Sequence, residues 1–187
     1  MSDADYLELP LGRFLDLVAS GEPAPGGGAA TAVCVAFAAG LAGMAARHAL
    51  DYLDGAAGLA ERTEDLRHRT SRLARADAAA YRRVIAAGRD DGRRREALSG
   101  AADVPLAVAE AGAEVSSLAA RLAREGNPNL EGDAICALLL ADAGVRAATA
   151  LVKINLTAAG VEDARLSRAN ELVETVGSAR RSVEGAG

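Results

Sequence analysis

The segment that most constrains this fold is residues 23–46. Pro23–Ala30 reads PAPGGGAA, and an almost unbroken apolar run to Ala46 follows. The prolines hold the chain extended and disfavour helix before them. The three glycines leave their backbone N–H groups uncovered, and the Ala-rich run predicts a long helix from about Gly27 to Leu50. A bare glycine loop at a helix N-terminus suits an anion or a polar ligand edge. The spacing is neither the dinucleotide G-x-G-x-x-G nor a P-loop, because no Gly-Lys-Ser/Thr follows. A second reading stays open, in which the glycines only allow tight packing against a neighbouring helix. The run is about the minimum length for a membrane span. Being built from Ala and Gly, it reads instead as a helix apolar all round, at the centre of a bundle or dimer.

Composition agrees. Hydrophobic residues make up 50% of the 187, aromatics only 3%, and there is no Trp. A core of Ala, Leu and Val suits close helix packing better than a sandwich of sheets, and the length suits one domain over 1–187. A net charge of −5, with no basic stretch interleaved with aromatics, argues against a nucleic-acid partner. Cys34 and Cys136 read as small buried hydrophobes of a reducing, cytoplasmic compartment, with no metal spacing. The polar, acidic start MSDADYLELP is no signal peptide.

Further helices are expected at 11–19, 56–87, 93–124 (kinked at Pro105), 131–156 and 162–182. The Gly185–Gly187 tail is expected to be disordered. No segment reads as a strand. The central and fifth helices are both apolar on most faces, and the other four cannot easily shield both; a homodimer burying one would.

Chemistry concentrates in three places. Gly126–Asp133, GNPNLEGD, brings Asn127, Asn129 and Asp133 to a helix start. These residues either cap or supply a partly buried carboxylate for acid–base work. Lys153-Ile154-Asn155-Leu156 ends an apolar helix. Lys153, the one lysine among 21 basic residues, either snorkels to water or loses its proton when desolvated. Asn155 is costly there unless its amide is paired. Asp77 and Tyr81 share a helix face at i and i+4, as a proton-transfer pair or a surface hydrogen bond.

Together, FLDLVASGEPAPGGGAA (14–30), DAAAY (77–81), VPLAVAE (104–110), GNPNLEGDA (126–134) and VKINL (152–156) resemble the cyclodeaminase/cyclohydrolase family. That family includes the cyclodeaminase domain of formiminotransferase-cyclodeaminase and the stand-alone methenyltetrahydrofolate cyclohydrolases. The resemblance implies an all-α, up-and-down bundle of five to six helices around the Ala/Gly-rich one. It also implies a homodimer joined through helices, a folate-like substrate near the interface, and neither metal nor cofactor beyond tetrahydrofolate itself. It makes Asp133 the acid/base, has Asn155 and Asn127 orient substrate, brings the Gly26, Gly27 and Gly28 backbone close to it, and leaves Asp77 and Tyr81 as further candidates. The expected reaction is cyclodeamination of formiminotetrahydrofolate, with methenyltetrahydrofolate cyclohydrolase as the alternative. Ala29, Gly132 and Leu151 stand where the family usually carries Ser, Ser and Asn. These departures motivate further alternatives: a silent binding protein, or a non-folate enzyme in which Asp133 and Lys153 form the proton-transfer pair.

Overall fold

The computed structural model describes residues 6–184; the expected tail at 185–187 lies outside the described residues. Seven α-helices run in order: α1 Leu11–Val18, α2 Gly27–Arg47, α3 Ala56–Ala86, α4 Asp91–Ala101, α5 Asp103–Glu125, α6 Glu131–Ala159 and α7 Ala164–Glu184. Single 3-10 turns lie at Tyr6–Glu8 and Pro128–Leu130, and no strand occurs among the described residues. The connections between the long helices are short, which makes sequential helices antiparallel neighbours. The fold is the all-α bundle that the sequence predicts.

The helix expected over 93–124 is two helices, α4 and α5, meeting at Ala102. Pro105 has no N–H, so the Ala101 carbonyl loses its helical donor. Asn155 Nδ2 donates to that carbonyl at 3.1 Å. On the other side of the junction Arg165 Nη1 donates to Ser99 O at 2.8 Å and pairs with Asp103. The break therefore costs no unsatisfied carbonyl at either position, and it turns α4 across the end of α6.

α2 packs against α3, α5 and α6, and α6 against α2, α5 and α7. Ala29, Ala32, Ala38, Ala42 and Ala46 are completely buried or nearly so, as are Val35, Leu66, Leu138 and Leu156. Small side chains let the helix axes approach closely. A Cβ on Gly144 of α6 would fall inside the Val35 side chain of α2. Overpacking such a contact costs about 1–3 kcal/mol. Beneath α7, the buried Asp142 carboxylate takes Arg146 at 2.8 Å and Arg180 at 3.3 Å.

Gly27–Arg47 and Pro128–Ala159 are long and apolar enough to cross a membrane by length and composition, yet 56% and 50% of their most apolar windows are buried within the chain. Core helices have that character.

Candidate functional site

The N-terminus of α2, the last third of α3, the end of α4 and the last turns of α6 enclose a cavity of about 340 Å³. Its lining joins Gly26, Gly27 and Gly28 to Asp77, Tyr81, Leu98, Ala101, Leu151, Ile154 and Asn155. That volume lies in the range of small-molecule sites, and a mostly apolar wall with a few convergent polar groups is their usual make-up.

Asp77 is the group that gives this cavity chemistry. It projects from α3 onto the start of α2 and accepts the backbone N–H of Ala29. Burial pushes its carboxyl above the usual carboxylate range, and the Ala29 hydrogen bond only partly opposes this. The seat exists because residue 28 is glycine: a Cβ there would lie within the Asp77 carboxyl group. Gly26 and Gly27 face open space, so only Gly28 is required by close packing, and its neighbour is a carboxylate rather than a helix. Both readings of PGGG thus hold in part: one glycine makes room, and the loop as a whole borders a cavity.

Asn155 is paired, as an amide in an apolar helix must be. Its Nδ2 fills the orphan carbonyl of Ala101, which fixes the side chain at the cavity wall and leaves Oδ1 as an acceptor. Tyr81 lies one turn beyond Asp77 and is 47% exposed, at the cavity rim.

The second predicted cluster lies elsewhere in the chain. Asp133 sits in the first turn of α6 and Asn155 in its last turns, about 33 Å apart at the helical rise. Asp133 does not line the cavity. The cap expected of it is absent too: Leu130 is the N-cap of α6 and makes no side-chain cap bond. Asn127 has a structural task, accepting the Asn129 N–H at 2.9 Å and donating to the His48 carbonyl, just past α2, at 3.1 Å. Asn129 is exposed, as is Lys153, which stands beside the cavity-lining Ile154 but outside the lining. Within one chain, the structure therefore joins Asp77, Tyr81, Asn155 and the glycines, and separates them from Asp133, Asn127 and Asn129.

Sequence reasoning missed the walls supplied by Leu98 and Ala101. The only signal was Pro105, whose missing N–H marks where α4 ends. Among the described residues, no three His, Cys, Asp or Glu side chains gather as a metal site would require.

The comparisons with known proteins converge on one family. A family model described as formiminotransferase-cyclodeaminase matches residues 10–174. The chain belongs to the formiminotransferase-cyclodeaminase family. It is 35% identical over 167 residues to a methenyltetrahydrofolate cyclohydrolase of Methylorubrum extorquens, covering 80% of this chain and 79% of that one. Its fold matches the crystal structure of a formiminotetrahydrofolate cyclodeaminase from Thermotoga maritima with a TM-score of 0.89 at 29% identity, over 96% of both chains. The family match takes in both the Asp77 cavity and the Asp133 segment.

Proposed function

We propose that this chain is a folate one-carbon enzyme working at the N5–N10 bridge of tetrahydrofolate, with Asp77 as its proton-transfer group. The observation that carries this reading is a half-buried carboxylate of raised pKa, seated on a helix N-terminus inside a cavity of small-molecule size. Hydrolysis of 5,10-methenyltetrahydrofolate is the first reading, supported by the 35% identity to the cyclohydrolase. Water adds to the methenyl carbon with loss of one proton, and the C–N5 bond then breaks as the adduct's hydroxyl proton passes to N5, leaving the formyl C=O of 10-formyltetrahydrofolate. The ionised Asp77 would offset the cationic bridge and take the proton of the attacking water. Asn155 Oδ1 and the Gly26–Gly28 backbone would orient the pterin. Leu98, Leu151 and Ile154 supply apolar wall for its rings.

The likeness to the cyclodeaminase favours a second reading. There N10 attacks the formimino carbon, a C–N10 bond forms, and the former imino nitrogen departs as ammonia after receiving a proton. The same acid/base and cavity serve both reactions. The working form we propose is a homodimer in the cytoplasm with a small-molecule substrate; the exposed Leu139 and Ile154 of α6 support the dimer.

The test is two assays on one preparation: loss of methenyltetrahydrofolate absorbance, and ammonia release from 5-formiminotetrahydrofolate. Turnover in either that Asp77→Asn abolishes supports the reading. A folded protein that turns over neither, and does not bind 5-formyltetrahydrofolate in calorimetry, ends it in favour of a silent binder or a different substrate.

A further inference from the structure

We infer that Arg165 is a positioning residue: it fixes the last turn of α4 as a wall of the Asp77 cavity and thereby sets the affinity for substrate, a role that rests on the folate reading only for what the cavity binds.

Packing alone holds α4 weakly. Leu98 and Ala101 are its only buried residues, and its first six residues are exposed. The two join Ala80, Val84 and Ala159 in a small apolar cluster that shares no residue with the main cores. Four of those five, all but Ala159, also line the cavity, so one side of the cluster borders open space. A short helix so sparsely packed opens readily unless something else ties it down.

Three side chains do so. Asn155 of α6 donates to Ala101 O at 3.1 Å, and Arg95 of α4 donates to Gly160 O, at the end of α6, at 3.2 Å. Arg165, in the first turn of α7, makes the largest tie. Its Nη1 donates to Ser99 O at 2.8 Å and to the Asp103 carboxylate. Its Nη2 donates to Ser99 Oγ at 2.9 Å and to Asp163 Oδ2 at 2.7 Å, and its Nε to Asp163 Oδ1 at 2.9 Å. All five guanidinium N–H groups are thereby used. Ser99 and Asp103 lie on either side of the Ala102 junction, so one fork spans the end of α4 and the start of α5. Asp163 Oδ1 also accepts the Arg165 N–H at 2.9 Å, which anchors the base of the fork to the start of α7. The Arg165 side chain is only 22% exposed, so water competes little for these bonds.

Arg165 lies outside the cavity lining and acts through Ser99, which stands between the wall residues Leu98 and Ala101. Asn155 grips the same turn from α6. Loss of the Arg165 grip would let the wall move, while Asp77 and Gly28, on α3 and α2, keep their places. Affinity should fall and the proton-transfer step should not. Lysine cannot replace Arg165, because its three donors share one nitrogen and cannot span two carboxylates, a hydroxyl and a carbonyl.

The experiment compares Arg165→Lys, Ser99→Ala and Arg168→Ala with wild type. Arg168 pairs with Glu171 on the exposed surface of α7, and its variant controls for the loss of an ion pair there. Arg165→Lys should raise KM about tenfold and leave kcat within about twofold, with binding of 5-formyltetrahydrofolate weakened to match. Ser99→Ala, which loses only the Oγ bond, should raise KM about threefold. Amide hydrogen exchange in both should quicken over residues 91–101, about tenfold in Arg165→Lys, and stay unchanged over α2. Arg168→Ala should alter none of these. An unchanged KM in Arg165→Lys, a loss confined to kcat, or exchange raised equally in every helix overturns the proposal. Should Arg165→Lys fail to fold, Ser99→Ala decides by the same readouts. Should wild type turn over no folate, the functional reading fails, and hydrogen exchange alone decides whether Arg165 holds α4.

Discussion

Two helix starts in this molecule look alike in sequence and differ in what surrounds them. Both PAPGGGAA and GNPNLEGD are small, polar breaks before an apolar helix. At the first, α3 runs across the N-terminus of α2, and Asp77 is pressed onto it and partly desolvated at the cavity wall. At the second, the asparagines look outward or tie loops together. Asn127 holds the His48 carbonyl and Asn129 is exposed. A glycine-rich or asparagine-rich turn is therefore only an offer of backbone donors. Whether it becomes a site depends on which helix crosses it and how much water that helix removes.

The sharpest way to break this comparison is Asp77→Asn. The change should lower kcat by about 10²–10⁴-fold with the fold intact, the usual scale for a lost acid/base. It should also raise Tm at neutral pH. The folded pKa of Asp77 is raised, so the native state holds its proton more tightly than the unfolded chain does. Stability therefore falls as pH rises through the window between the unfolded and folded values, and stays lower above it. The advantage of Asn, present at pH 7, should vanish below the unfolded pKa of about 3.9. Calorimetric Tm across pH reads this directly, and an unchanged difference at pH 3 would contradict the burial argument.

Gly28→Ala comes next. Its Cβ needs the space that the Asp77 carboxyl fills. Activity should fall about as far as in Asp77→Asn, and stability by about 1–3 kcal/mol. Asn155→Ala leaves the Ala101 carbonyl without its donor, at a cost of about 1–3 kcal/mol and with a raised KM. Asn155→Asp cannot donate that bond and should not rescue it. The smallest effect belongs to the second helix start. Asn127→Ala removes two hydrogen bonds, one to the His48 carbonyl across loops and one within its own turn, which should cost about 1–2 kcal/mol by chemical denaturation and leave kcat per folded site unchanged. A kcat loss in Asn127→Ala matching that of Asp77→Asn would erase the distinction between the two regions.

The helices were legible because apolar spacing and breakers act locally. The expected 11–19, 56–87, 131–156 and 162–182 lie within about three residues of α1, α3, α6 and α7. The central helix ends at Arg47 rather than Leu50, and Pro105 broke a helix that it was expected to bend. The site was legible as a set of residues but not as a place. Asp77, Tyr81, Asn155 and the glycines are together, although the family resemblance points to Asp133 before Asp77. No sequence spacing reveals that Gly28 exists to admit the Asp77 carboxyl, or that Asn155 answers a carbonyl freed by Pro105, 50 residues earlier.

The sequence by itself determined the helix periods, the Ala-rich core and the family, because each is written in local pattern or in ordered motifs. Only the tertiary structure decided which of two similar polar breaks faces a half-buried carboxylate of raised pKa across its cavity. It also left Asp133 a helix length from Asn155 within one chain. The physical reason is that burial, and with it the raised pKa of Asp77, comes from the crossing of α3 over α2, a contact between residues some 50 positions apart that neither segment encodes alone.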